Sequence, residues 1–148
     1  MSRVLTGTAR TAVLLVAVAL AGAGCDSINE AKESVDTATN TVQVCSDSIK
    51  LANDRVTKVN TVAQEVAANP TDPSKVEALK LAVKTEFTAL HEGLQEQIGK
   101  TKEADVKSAL EALDTAVNGW AAKPETFIKE STKYTDLAGN VNKACGTK

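Results

Sequence analysis

Apolar side chains recur at alternating intervals of three and four residues from Ile28 to Val66. This spacing is typical of the a and d positions of a helical heptad, because a strand would instead alternate every second residue. The sequence therefore predicts one long first helix with a continuous apolar seam. The seam positions are Ile28, Ala31, Val35, Ala38, Val42, Cys45, Ile49, Ala52, Val56, Val59, Ala63 and Val66.

Three further helices are predicted after the turn that follows Ala68. Asp72 and Pro73 suit the N-cap and first position of the second helix, Thr101 is expected to cap the third after Gly99, and Pro124 is expected to open a fourth that ends at Gly146. Their apolar positions are Val76, Leu79, Val83, Phe87, Leu90, Leu94 and Ile98, then Val106, Leu110, Leu113, Val117 and Trp120, then Phe127, Tyr134, Leu137 or Ala138, Val141 and Cys145. Because short connections make neighbouring helices antiparallel, we expect an all-α, up-down-up-down four-helix bundle with a long first helix.

Two of the three cysteines, Cys45 and Cys145, stand 100 positions apart. The predicted helix lengths place Cys145, at the end of the fourth helix, level with residues 43–47 of the first. We therefore predict a Cys45–Cys145 disulfide that staples the bundle, with two buried free thiols as the alternative. An exported protein can keep such a bond.

The N-terminus has the pattern of an export signal. Residues 1–24 contain no acidic side chain, and Arg3 and Arg10 precede an apolar stretch from Thr11 to Ala23. A positive segment followed by a short apolar one predicts a secretory signal peptide, and the stretch is shorter than the ~20 residues that a permanent membrane span needs.

The stretch Leu20-Ala21-Gly22-Ala23-Gly24-Cys25 resembles the lipobox of bacterial lipoproteins, although Gly22 stands where the usual pattern has leucine. The resemblance implies cleavage before Cys25 and attachment of diacylglycerol to its sulfur. Two or three acyl chains, of the palmitate type, would then hold the protein on the extracytoplasmic side of the cell membrane. Cleavage after Ala23 by an ordinary signal peptidase is the alternative. Lipidation also fits the cysteine count, because an unpaired thiol is a liability in an exported protein.

These features divide the chain into a signal peptide (1–24), a lipidated N-terminus with a stalk (25–44) and a helical bundle domain (45–148). No partner helix is expected at the level of residues 26–44, so this segment is either a loose stalk or a self-association strip. A fully helical stalk would reach up to ~28 Å at ~1.5 Å per residue.

The sequence contains few residues that could act in catalysis or bind a metal or a phosphate. His91 is the one histidine in the sequence, and a general base or metal ligand usually needs a second group beside it; we expect it at the surface or its boundary. Gly99-Lys100-Thr101 lacks the earlier glycine of a phosphate loop. We therefore predict no catalytic, cofactor-binding or metal-ligating residue and no cofactor.

The net charge and the small number of aromatic residues restrict the classes of partner that the chain is expected to bind. Removal of the signal peptide with Arg3 and Arg10 changes the formal net charge from −2 to −4, and the chain has only four aromatic residues. Nucleic acid is not expected, because its binding requires clustered Lys and Arg.

The leading hypothesis is a non-catalytic envelope lipoprotein that presents a helical face to an unknown envelope protein. The alternatives are a lipoprotein that binds a small apolar or lipid-like ligand between its helices and, as a third class, an enzyme built around His91.

Overall fold

The computed structural model describes residues 26–69 and 71–146, which form five α-helices and no strand. The helices are α1 (Asp26–Ala68), α2 (Pro73–Lys100), α3 (Ala104–Ala122), α4 (Pro124–Lys129) and α5 (Ser131–Gly146). The all-α prediction is therefore confirmed. The predicted signal peptide and the lipidation site at Cys25 lie outside the described residues.

The start of α2 follows from local chemistry. The Asp72 side chain accepts a hydrogen bond from the backbone N–H of Ser74, and Pro73 occupies the first turn, as predicted. Proline is tolerated there because the first N–H groups of a helix have no intrahelical partner.

The end of α2 differs from the prediction. The helix continues through Gly99 to Lys100, and Thr101 closes it with its backbone N–H bonded to the carbonyl of Gln97. The expectation that Thr101 caps the third helix is wrong, since α3 begins at Ala104. Gly99 does not end the helix, because a glycine costs a helix only about 1 kcal/mol relative to alanine. The residues just before it, Leu94, Gln97 and Ile98, are packed in the protein.

The predicted single fourth helix is also wrong, because the chain breaks at Glu130 between α4 and α5. Around this break, the rings of Phe127 and Tyr134 both lie against Phe87, with centroid distances of 4.7 and 6.2 Å. Phe127 in α4 and Tyr134 in α5 thus pack against the same ring from either side of the break.

The core lies between four helices that contact one another in a closed ring, α1 on α2, α2 on α3, α3 on α5 and α5 on α1, while α4 packs on α2 and α3. One end of this core is aromatic. Trp120 is buried as predicted, and its ring centroid lies 5.4 Å from that of Phe127 and 5.9 Å from that of Phe87.

Tyr134 differs from the expectation that its hydroxyl reaches the surface. The residue is buried, and its hydroxyl donates to the backbone carbonyl of Ala52 on α1 at 3.4 Å. Burial raises the pKa of Tyr134 to about 12, because the charged phenolate is poorly solvated inside the bundle.

The face that α1 turns towards the bundle also departs from the predicted seam. Thr41, Val44 and Ser48 are buried, whereas Val42 and Val35 are 69% and 65% exposed. The exposure of Val35 and Val42 agrees with the expected lack of a partner helix at the level of residues 26–44, whereas the burial of Thr41 and Val44 shows that α1 meets the bundle before residue 45. A straight α-helix drifts about 20° per heptad from a strict seven-residue repeat, so one row of heptad positions cannot face the same bundle along the whole of α1.

Candidate functional site

The disulfide joins the middle of α1 to the last turn of α5. Cys45 and Cys145 are bonded at an S–S distance of 2.05 Å, with their Cα atoms 5.8 Å apart. This confirms the predicted pairing. Cys45 is buried in the core and Cys145 is half-buried beside it, so the bond lies inside the helical packing.

Below this junction the described side chains of α1 become exposed to solvent, and residues 32–36 are all exposed. The side-chain Oδ1 of Asn40 accepts a hydrogen bond from the backbone N–H of Lys102 at 3.2 Å, and burial of α1 begins at Thr41. Packing thus starts a few residues before the predicted boundary at residue 45. The division into stalk and bundle domain stays a prediction.

Three residues on the free part of α1 form what we call the valine strip: Val35, Ala38 and Val42. All three are exposed. Val42 directly follows buried Thr41, so the strip lies about 100° around the helix from the face that meets the bundle. The strip is the main apolar surface that the described part of α1 leaves uncovered.

His91 lies at the boundary of the protein, as expected, and its partner was missed from the sequence. Its Nδ1 donates to Oδ1 of Asp114 at 2.7 Å, and Nε2 of Gln95 donates to the other carboxylate oxygen at 2.5 Å. Asp114 is only 6% exposed. A buried carboxylate is costly unless it accepts hydrogen bonds, so these two contacts explain how Asp114 is held between α2 and α3.

No sequence signal marked Asp114 as buried. It directly follows the core residue Leu113, and acidic side chains are almost never fully buried unless they are paired. Asp114 lies about 100° from Leu113 around the helix axis, at the edge of the α3 seam. This position is compatible with burial but does not predict it.

A second electrostatic contact links α1 to α2. Oε2 of Glu86 accepts from Nη1 of Arg55 at 3.0 Å and from Nζ of Lys58 at 3.4 Å. Partial burial acts to raise the pKa of Glu86, but the hydrogen bonds from Arg55 and Lys58 outweigh it and lower the pKa below its ordinary value. The carboxylate is therefore stabilised in its charged form.

Between α1, α3 and α5 lies a partly open pocket of about 20 Å³ lined by Ser48, Ile49, Ala52, Leu113 and Val141, among others. Its volume fits a single water molecule. Ser48 is almost completely buried, and its hydroxyl has no hydrogen-bond partner among the described residues.

No family model, curated protein or solved structure matches this chain.

Metal-binding clusters and membrane-spanning helices are both absent from the described residues. In residues 26–69 and 71–146, no three His, Cys, Asp or Glu side chains are grouped closely enough to hold a metal ion. Within the same ranges, none of the helices combines the length and apolar character needed to cross a membrane. The structure thus brings together the predicted Cys45 and Cys145, and the features of the surface are the valine strip and the His91–Asp114–Gln95 cluster.

Proposed function

We propose that this chain is a non-catalytic lipoprotein of the bacterial cell envelope, anchored through Cys25 and presenting its helical bundle to a protein partner. The observation that carries the proposal is the pairing of the cysteines. Cys45 and Cys145 are bonded to each other, which leaves Cys25, at the end of the lipobox-like stretch, as the remaining thiol of three.

The disulfide supports an extracytoplasmic location, because such bonds form and persist mainly in oxidising compartments. Two or three acyl chains on Cys25 would provide a stable anchor, whereas a single chain gives only marginal membrane binding. The helical segment that begins at Asp26 would then follow directly after the anchor and hold the bundle above the lipid surface.

The arrangement proposed for the bundle is up-down-up-down, with α4 and α5 together as the fourth rod. Short connections support it: three residues separate α2 from α3, and one residue separates α3 from α4. The end of α5 is bonded to Cys45, which lies well before Ala68, the last residue of α1. This bond fits a fourth rod that runs antiparallel to the third and beside the first.

In the proposed non-catalytic role His91 is a structural residue, whose Nδ1 donates to Asp114 within the α2–α3 contact. The alternative of an apolar ligand between the helices would need interior space next to the small seam residues. Ala52, Ala63, Ala109 and Ala116 instead pack against the core. The pocket beside Ala52 fits only one water molecule, and the cleft of about 470 Å³ beside Ala116 is open to the surface.

The anchor is tested by the variant Cys25→Ser, with Ser27→Ala as the matched control. We expect the Cys25→Ser protein to move from the membrane fraction to the soluble fraction or the medium, because it has no sulfur to acylate, while Ser27→Ala remains with the membrane. Mass spectrometry of the N-terminal peptide should show the acyl chains in the control and in the wild type. Membrane association of the Cys25→Ser variant at the wild-type level would overturn the proposal.

A further inference from the structure

We propose that Cys145 is a site of thiol–disulfide exchange, at which a small thiol attacks the Cys45–Cys145 bond and becomes attached to Cys145. The proposal goes beyond the proposed function and does not depend on acylation of Cys25. Its starting point is the unequal burial of the two bonded residues. Cys45 is 6% exposed within the core, whereas Cys145 is only partly buried. Exchange depends on access to the attacked sulfur, so the two ends of the bond are not equivalent.

The last turn of α5, which carries Cys145, is held only weakly by side-chain packing. Val141 is the last buried residue of this helix, and none of residues 142–146 is buried. The last carbonyl groups of a helix have no intrahelical partner, and helix ends open at a small fraction of the free energy of global unfolding. The turn around Cys145 can therefore unwind while the core stays packed.

Cys45 lies in a very different place, in the interior of α1. This helix extends from Asp26 to Ala68, and the buried residues Thr41, Val44 and Ser48 surround Cys45 along it. Exposure of its sulfur would require α1 to break in the middle or to leave the bundle. Openings of that kind cost nearly as much as global unfolding, so attack at Cys145 is the route that the folded protein offers.

The exchange step can be written for named atoms. The thiolate of the small thiol forms a new S–S bond with Sγ of Cys145, and the bond between the two cysteines breaks. Its electron pair goes to Sγ of Cys45, which leaves as a thiolate and takes a proton from solvent. In the reverse step, the Cys45 thiolate attacks Sγ of Cys145 and releases the small thiol. The Cys45–Cys145 bond would thus form, as well as open, through a mixed disulfide on Cys145.

The surroundings affect the rate of this step in two opposite ways. Lys143 lies exposed in the last turn of α5 and attracts an approaching thiolate. Release of the Cys45 thiolate into the core is unfavourable, because an unpaired charge is poorly solvated there. This cost slows the exchange but does not redirect it to Cys45, since attack on Cys45 first requires α1 to leave the bundle.

The urea dependence of reduction tests the route in the full chain. Cys25→Ser provides a form in which Cys45 and Cys145 are the only cysteines, and reduced glutathione is the probe. Below the unfolding transition, the rate of reduction should be nearly independent of urea, because unwinding one helical turn exposes little new surface. Acid quenching, alkylation and mass spectrometry count the thiols that are formed. A rate that rises with urea as steeply as the unfolding equilibrium would overturn the proposal.

Two asparagine substitutions in the same background locate the opening. Asn142→Ala should slow the reduction by up to about threefold, because alanine is a better helix former than asparagine and strengthens the last turn of α5. Asn53→Ala is the matched control, since Asn53 is also exposed but lies in the middle of α1. It should leave the rate unchanged. Equal slowing by both substitutions, or no slowing by Asn142→Ala, would show that the end of α5 does not control access to the bond.

Single-thiol variants compare the two sulfur atoms directly. In the Cys25→Ser chain, Cys45→Ser leaves the thiol of Cys145 and Cys145→Ser leaves that of Cys45. We expect oxidised glutathione to modify Cys145 at least about tenfold faster than Cys45 in the folded variants, and both at similar rates in unfolding urea. Equal rates in the folded variants, or faster modification of Cys45, would contradict the proposal. Circular dichroism verifies that both variants are helical; if one unfolds, the urea dependence and the asparagine variants decide.

Discussion

At the scale of single residues, this small protein depends on a few polar side chains that bind across helix boundaries. Asp114 accepts hydrogen bonds from His91 and Gln95 between α2 and α3, and Glu86 accepts from Arg55 and Lys58 between α1 and α2. Breaking a buried pair leaves the remaining group without its partner, so such residues fix how neighbouring helices meet.

Glu86 gives the fold a dependence on pH. Its pKa is lowered in the folded protein, so the stability that it contributes is present above its ordinary pKa of 4.5 and is lost as the pH falls through the lower folded value. We expect Glu86→Gln to cost roughly 0.2–1 kcal/mol at pH 7, the range of partly exposed ion pairs. The difference from wild type should shrink between pH 5 and pH 3 in urea unfolding experiments.

Glu65→Gln is the matched control for this titration. Glu65 pairs only with Lys75, and both side chains are more exposed than Glu86. Its effect at pH 7 should be smaller than that of Glu86→Gln. A difference between Glu86→Gln and wild type that stayed constant down to pH 3 would show that Glu86 is not stabilised as a carboxylate in the folded state.

At the scale of helices, the sequence predicted the helix bounds that hydrophobic periodicity and proline determine. Local rules predict the extent of α1, the start of α2 at Asp72–Pro73 and the start of α4 at Pro124. The break at Glu130 does not, because the residues around it include neither proline nor glycine. It lies between Phe127 and Tyr134, which both pack against Phe87, and a local pattern does not contain such tertiary contacts.

The burial of Thr41 and Val44 was missed for a related reason. Heptad spacing identifies which residues share a helical row, but it does not say at which level the bundle stops following that row. Burial of Thr41 and Val44 is decided by the neighbouring helices. The disulfide, in contrast, could be predicted, because helix lengths and cysteine number restrict it independently of side-chain rotation.

Two glycines allow a test of helix packing. A Cβ at Gly139 in α5 would meet no other atom within 4 Å, whereas a Cβ at Gly93 in α2 would collide with Cδ2 of Leu51 on α1. We expect Gly139→Ala to raise the free energy of unfolding by roughly 0.5–1 kcal/mol, because alanine loses less backbone entropy on folding. Gly93→Ala should gain less or lose stability, since Leu51 must move. Urea unfolding measures both, and a destabilised Gly139→Ala protein would contradict this view of α5.

At the scale of the whole molecule, the described core is modest and the disulfide closes a loop of sequence separation 100. A cross-link of this length restricts the unfolded chain by about 4–5 kcal/mol in the chain-entropy model. The total stability of a small domain is typically only about 5–15 kcal/mol. The bond is therefore expected to supply a large part of the stability of the bundle.

The double variant Cys45→Ala/Cys145→Ala should accordingly lose several kcal/mol of unfolding free energy, up to about 4–5. Urea unfolding followed by circular dichroism measures the loss. Reduction of the wild type should reproduce it, while the same reductant should leave the double variant unchanged. A double variant as stable as the oxidised wild type would show that helix packing alone maintains the fold.

The same bond has a mechanical consequence. Helix α1 enters the covalent ring at Cys45, and the chain leaves it at Cys145, close to the C-terminus. Tension applied between the two ends of the protein would therefore pass through the two sulfur atoms and bypass the helices between them. A chain tethered at one end and pulled at the other would keep its bundle intact under loads that would unravel a reduced one.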